Sequence, residues 1–525
     1  MKGSTKCVSD IADPPPRYFH AEPKTDLGLQ RSSEPRWPSA RLLVTGLVVV
    51  LGGCFHFGFQ ISLINPMAEV LKEFIVDSFV NRFGLEMTGI VWKLVWPSVA
   101  GILFVGAALG AFAATPLMEK FGAKFALLAS SMILTTSFLL AIGSKIFRMA
   151  ELFIVARLMS GFGIGMATTT SGVYLTEISP IALRGTMGTT IGFSTNVGFV
   201  SASALGLPHL LGHPDRWHLA YVIGKSSRLL LVSPIAFRTD SMRRSPPLDR
   251  LLLSRVTLLP SPLPQTRRSR RIRAGPPAME HELSEALETR ESGWADLLRN
   301  RSFRWAVAIA ATVNVTVSFS GIMAVSFFGT FLLTAIGFSE NGAALANFIA
   351  SFAGTAGAIL SSLTVDKLGR RSLLIGSLLI LSLINTTMMV NTAIFLNYNA
   401  VWTGYIFLFF FHIFLFVFSF GVGPLAWFLS TELTFAPHRS KVQSIAVAAQ
   451  YISCFLSPLF FYPLQNTFGP LSFLIFIAPT ALTAVFLYYY LPETRLRQTE
   501  DIVRELEGTS LFKRSELKTN ARRVK

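Results

Sequence analysis

The stretches "MEKFGAK" (118–124) and "VDKLGRR" (365–371) are two versions of one short phrase, 247 residues apart. A second phrase also occurs twice, as "TEISPIALRG" (176–185) and "TELTFAPHRS" (431–440), 255 residues apart. Each copy of the second phrase sets a glutamate seven residues before an arginine: Glu177 with Arg184, and Glu432 with Arg439. All four stretches lie between long apolar runs. Loops that recur in the same order at nearly constant offset mark an internal duplication, and in an apolar chain two such halves are the signature of a parallel-repeat transporter.

The composition agrees. Mean hydropathy is +0.50, only 15% of residues are charged, and 45 of the 525 are Phe. A soluble domain carries about 25% charged residues. Apolar segments long enough to cross a bilayer recur along the chain. They are read as helices at 41–66, 92–116, 123–144, 151–176, 184–209, 218–237, 304–330, 342–366, 372–396, 401–429, 439–464 and 468–491. The sixth is the weakest, because it carries Lys225 and Arg228, and a charge at mid-bilayer costs about 3 kcal/mol. The expected fold is an all-α membrane protein with twelve transmembrane helices in two six-helix bundles, 41–237 and 304–491. A polar tail (1–40), a central loop with short helices (238–303) and a second tail (492–525) complete it. With both tails inside, the outer loops hold only Lys72, Arg82, Lys145, Arg148 and Arg216 of the 47 Lys and Arg. Positive charge concentrates on the cytoplasmic side of such proteins, which sets the expected orientation.

The repeated loops have a readable chemistry. Gly122 and Gly369 permit tight turns between antiparallel helices. Glu177, Arg184, Glu432 and Arg439, with Arg370 and Arg371, form a charged layer at the inner surface. Paired, these groups would hold the two bundles together on that side; separated, they would open it. Arg157 is added to this gate set as the clearest buried charge of the first half. Gly421, Gly423 and Pro424 interrupt the helical ladder in the tenth span, a plausible hinge.

With these stretches in hand the chain resembles the sugar-porter branch of the major facilitator superfamily, in particular the facilitative hexose transporters of the GLUT type. The residues that carry the resemblance are "FHFGFQISLINP" (55–66), "ARLMSGFGIG" (156–165), "YLTEISPIALRGTMGT" (174–189), "FSGIMAV" (319–325), "VDKLGRR", "GVGPLAWFLSTEL" (421–433) and "LPETR" (491–495). The family implies alternating access around one central sugar site. Its sugar contacts fall here on Gln450, Asn314, Trp427, Ser318, Phe57 and Asn65, with Gln60 nearby. A pocket for a hexose needs amide or hydroxyl partners for the sugar hydroxyls and an aromatic surface for its C–H faces. Several of the family's polar positions are apolar or small here: Gly192, Val317, Met323, Phe327, Phe328 and Ser419. Ser194, Thr195, Asn196 and Thr316 are candidate replacements.

No phosphate-binding loop is present, so ATP is not the expected driver, and no catalytic constellation appears. The first span contains no Asp or Glu. The reading is a carrier without cofactor or metal, working by facilitative uniport of a hexose or hexose-like solute, the expected partners being that solute and the lipid bilayer of the plasma membrane. The alternatives are a transport-dead nutrient sensor and a carrier of a different small organic solute. Within the central region, residues 224–279 hold twelve Lys or Arg against two Asp. Family-like sequence stops at one edge of this tract and resumes at the other, so it reads as a misread coding segment, the alternative being a basic surface facing anionic lipid, and not as a nucleic-acid arm.

Overall fold

The computed structural model describes residues 39–84, 89–180, 183–207, 209–226, 294, 299–398, 401–495, 497 and 499–507. The basic tract beyond Ser226, both extreme tails and most of the central segment lie outside the described residues. All the regular elements described are helical. The first half holds α1 (Ala40–Gly52), α2 (Phe55–Ile64), α3 (Ala68–Phe83), α4 (Gly89–Phe121), α5 (Ala123–Ile146), α6 (Ala150–Ile178), α7 (Arg184–Leu205) and α8 (Trp217–Ser226). The second begins with α9 (Arg301–Val317), a π-helical turn (Ser318–Ile322) and α10 (Met323–Ala335). It continues through α11 (Glu340–Leu368), α12 (Arg370–Tyr398), α13 (Val401–Phe420), α14 (Val422–Glu432), α15 (Ala436–Phe468), α16 (Leu474–Tyr490) and the short α17 (Thr499–Glu507).

Nine segments among the described residues are long and apolar enough to cross a bilayer, against the twelve expected. The difference has three physical sources. One segment, His438–Tyr490, is 53 residues long, enough for two crossings at about 20 residues each. Gly469, at φ +54°, and a 3₁₀ turn divide it into α15 and α16. Helix α7 is rich in Gly, Ser and Thr, because it packs against other helices. Helix α8 is described only as far as Ser226, so the weak sixth span stands as an expectation.

Three expected spans are broken. The first parts into α1 and α2 around Gly53, and the seventh breaks at Gly321, whose φ of +103° no other residue adopts easily. The tenth breaks at Gly421 (φ −119°, ψ −89°), while Gly423 and Pro424 sit inside α14. Of the three residues, the helix break itself falls at Gly421. Helix α17 lies within the expected tail 492–525. It buries Ile502, Val503 and Leu506 and packs against α9.

Close backbone approach explains the glycines of α4 and α6. A methyl group on Gly161 would lie 1.8 Å from the carbonyl oxygen of Leu103, and one on Gly165 would lie 1.9 Å from that of Ala107. The contact is reciprocal: Gly106 and Gly110 face the carbonyls of Leu158 and Phe162, each at 2.0 Å. Gly at both i and i+4 on both helices lets two backbones touch, the usual way helices associate where lipid supplies no hydrophobic drive.

The two loop glycines of the repeated phrase take the same conformation. Gly122 has φ +85° and Gly369 has φ +86°. Around Gly122 a methyl would meet nothing within 4 Å, whereas at Gly369 it would come within 2.7 Å of Glu493. Gly122→Ala is therefore expected to cost about 2 kcal/mol from backbone strain alone, because φ +85° with ψ 160° is a conformation essentially reserved to glycine. Gly369→Ala is expected to cost about 1 kcal/mol more, because the Glu493 carboxylate must also move. Thermal unfolding of the detergent-solubilised protein checks the order; equal losses would remove the role given to Glu493.

Candidate functional site

Two features stand out, a cavity at the centre of the molecule and a charged layer at one end. The cavity lies between helices from both halves of the chain. Phe57 on α2 and Thr195, Asn196 and Phe199 on α7 line it from the first half. The second half supplies Val317, Ile322 and Met323 around the seventh-span break, Phe418 and Ser419 before the Gly421 break, Trp427 beyond it, and Gln450 from α15. Both helix breaks therefore end at the cavity wall. The break at Gly321 exposes the Ser320 carbonyl, and Asn385 Nδ2 donates to it at 2.8 Å. An unpaired backbone group at that depth would be costly, so the amide stabilises the kink.

Three aromatic rings pack as a group beside the cavity. Phe57 meets Trp427 edge-on at 5.3 Å between centroids, and Tyr451 touches both, at 5.6 and 6.3 Å. Tyr451 is fixed from the other side by Thr168, 2.8 Å between hydroxyls. Gln443 Nε2 donates to the Trp427 carbonyl at 2.8 Å and so ties α14 to α15.

Of the residues singled out for the sugar, Gln450, Trp427 and Phe57 line the cavity. Asn314, Ser318 and Asn65 do not line it. Asn314 donates to the carbonyls of Ala310 (2.8 Å) and Ala426 (3.3 Å), joining α9 to α14. Ser318 donates to the Gln450 carbonyl at 3.0 Å. Asn65 caps the end of α2, where Gly329 makes room for it. Asn314 and Ser318 make helix-to-helix bonds, which a polar residue in a membrane span supplies as readily as a ligand contact. Thr195 and Asn196 reach the cavity. Ser194 instead donates to the Val50 carbonyl (2.8 Å), and Thr316 pairs with Thr483 (2.7 Å).

The charged layer collects Glu432, Arg370, Arg184, Arg439 and Glu177. Arg370 is nearly fully buried; its Nη2 donates to Glu432 at 3.1 Å and its Nη1 lies 2.9 Å from Asp366. Thr494 donates to the second Glu432 oxygen at 2.6 Å. Arg184 lies within electrostatic reach of Glu432, and Arg439 within reach of both Glu177 and Glu432. Arg439 Nε also donates to the Thr431 carbonyl at 2.8 Å. Arg184 with Glu432 and Arg439 with Glu177 are pairings across the two halves.

Direct bonds cross the halves at the same end. Thr176 and Thr431, equivalent positions of the repeated phrase, bond each other at 2.8 Å. Asp366 of the second half accepts from the Thr186 amide (3.1 Å) and hydroxyl (2.6 Å) of the first. Lys441 of the second half lies 3.6 Å from Glu119 of the first. Glu119 and Asp366 occupy matching places in one repeated phrase, and Thr186 and Lys441 lie at the offset of the other. One cross-half contact is thus made twice, related by the internal repeat.

Two residues assigned to this layer lie elsewhere. Arg157 is some 20 residues before Glu177 on α6, about 30 Å along the helix. It donates to Gln60 Oε1 and the carbonyls of Gln60 and Ala100, all at 3.0 Å. Arg371 turns to the Tyr488 carbonyl within its own half. Conversely, Asp366, Thr186, Glu119, Lys441, Glu493 and Thr494 were missed as individuals, although five of the six lie in quoted phrases. Glu493 accepts from the amides of Arg370 (3.0 Å) and Arg371 (3.2 Å) and so caps α12.

A protein-family model described as "Sugar (and other) transporter" matches residues 45–506. The chain belongs to that family. As a member of the sugar (and other) transporter family it is a multi-pass integral membrane protein and not an enzyme. Facilitated glucose transporter member 7 from Mus musculus is 25% identical over 487 residues, covering 91% of this chain and 92% of its own length. Facilitated glucose transporter member 3 from Homo sapiens is 26% identical over 468 residues, covering 89% and 92%. Among solved structures, the proton:xylose symporter XylE bound to 6-bromo-6-deoxy-D-glucose superposes with a TM-score of 0.70 at 20% identity, over 89% of this chain and 99% of that one. The inward open conformation of XylE gives 0.60 at 18% identity, over 88% and 99%. The fold of this transporter-family chain is accordingly the major facilitator fold.

Proposed function

We propose that this protein is a facilitative carrier of a hexose or hexose-like solute, working by alternating access between two six-helix bundles, 41–237 and 304–491. The observation that carries the reading is the central cavity, to which both halves contribute and where an aromatic group adjoins the buried amide of Gln450. The helix breaks at Gly321 and Gly421 flank the cavity and are natural bending points. The charged layer is the cytoplasmic gate, with Glu177, Arg184, Glu432, Arg439 and Arg370 closing it; both tails face the cytoplasm, and the plasma membrane is the working location.

Uniport rests on Arg157. This buried cation is held by Gln60 Oε1 and two carbonyls, neutral acceptors that neither take up nor release a proton near pH 7. The likeness to a proton:xylose symporter is one of fold, and the chemistry around Arg157 favours carriage without a coupling ion.

Radiolabelled D-glucose and D-fructose uptake into proteoliposomes tests the proposal. Saturable uptake that is unchanged by a protonophore is expected. Gln450→Ala is expected to raise the half-saturation concentration about tenfold, from loss of one buried polar contact worth about 1.5 kcal/mol. Uptake that requires an inward pH gradient would make the protein a symporter, and binding without flux would make it a sensor.

A further inference from the structure

The polar atoms around the cavity are few, and nearly all are already bonded to the protein. Thr195 donates to the Ile191 carbonyl at 3.0 Å. Asn196 Nδ2 donates to the Gly192 carbonyl at 2.8 Å, and its Oδ1 accepts from Ser419 at 3.0 Å across the two halves. Gly354 of α11 packs on this pair: a methyl there would lie 2.7 Å from Asn196 Oδ1 and 3.3 Å from Ser419 Oγ. These groups line the cavity, but each already makes a bond within the protein. Gln450 differs. It is 1% exposed, and its Oε1 has no hydrogen-bond partner among the described residues. The rest of the wall is apolar, formed by Phe57, Val317, Ile322, Met323, Phe418 and Trp427.

A solute in this cavity can satisfy a hydroxyl at Gln450 and few others. Every further hydroxyl loses its water and meets only groups already engaged with the protein, which lowers affinity by roughly tenfold or more. An apolar stretch of the solute gains instead from the aromatic and aliphatic wall. We infer that the cavity is selective for a deoxygenated hexose, a pyranose ring lacking at least one hydroxyl, over a fully hydroxylated one. This rests on the transport reading above and names the substrate class of the same cavity.

The test compares D-glucose with its 2-, 3- and 6-deoxy analogues on the full chain in proteoliposomes, reading binding by intrinsic tryptophan fluorescence and carriage by counterflow. At least one analogue is expected to bind tenfold or more tightly than D-glucose and to be carried. Met323→Gln, which keeps side-chain volume and adds an amide to the wall, is expected to narrow that ratio at least threefold. D-Glucose binding as well as or better than every analogue, with carriage intact, would overturn this inference and leave the carrier reading standing. A preference that Met323→Gln, folded and active, leaves unchanged would also overturn it, since wall polarity would not then set the choice. Absence of binding by all four sugars would overturn both.

Discussion

Glu432→Gln is expected to raise the labelling rate of a cysteine placed at position 176 about thirtyfold. Thr176 is buried and bonded to Thr431 in the closed charged layer, so thiol reagents reach it only when that end opens. Glu432 is the hub of the layer: it holds Arg370 and Thr494 by direct bonds and faces Arg184 and Arg439. Removing one partner of a buried pair typically costs about 3–5 kcal/mol. Arg370 retains Asp366 at 2.9 Å, which reduces the loss to about 2 kcal/mol, or thirtyfold. The shift opens that end of the molecule only if the layer is closed in one state and parted in the other. Reactivity equal to that of the Thr176→Cys parent, with Cys7 replaced by Ser in both, would end the gate assignment.

The second large effect is structural. Gly161→Ala is expected to leave little folded protein, with a loss of at least about 4 kcal/mol. The added methyl would stand 1.8 Å from the Leu103 carbonyl oxygen, inside any real contact distance. Because three further glycines lock the same pair of helices, α6 can yield only by moving away from α4 along its whole contact. Gly376→Ala is the control, since a methyl there meets nothing within 4 Å. Size-exclusion profile and thermal unfolding in detergent compare the two. Equal stability would show that the close approach of α4 and α6 is not required.

Much of the fold was legible because transmembrane helices must satisfy their own backbone groups and so announce themselves as long apolar runs. The run from 438 to 490 needed a turn signal as well, and Gly469 provides it. The site was legible in part. Gln450, Trp427 and Phe57 were located by phrase and residue type. Asn314 and Ser318 belong to the same polar class, yet they bond other helices; side-chain direction separates the two roles, and a linear pattern does not contain it. Arg157 shows the same limit. A buried arginine in a transporter invites a gating role, and only its depth along α6 and its bonds to Gln60 and Ala100 remove it from the charged layer.

The sequence by itself determined the duplication, the apolar helices and the loops that carry charge, because each of these is a local or periodic property of the chain. Tertiary structure alone decided which partners the charges take. Glu119 meets Lys441, Asp366 meets Thr186 and Thr176 meets Thr431, each more than 170 residues apart in sequence. It also decided that Asn196 is occupied by Ser419 and that Gln450 keeps an open acceptor. The physical reason is that hydrogen bonds and ion pairs form between groups near in space, and packing two repeated halves face to face brings each loop against its counterpart.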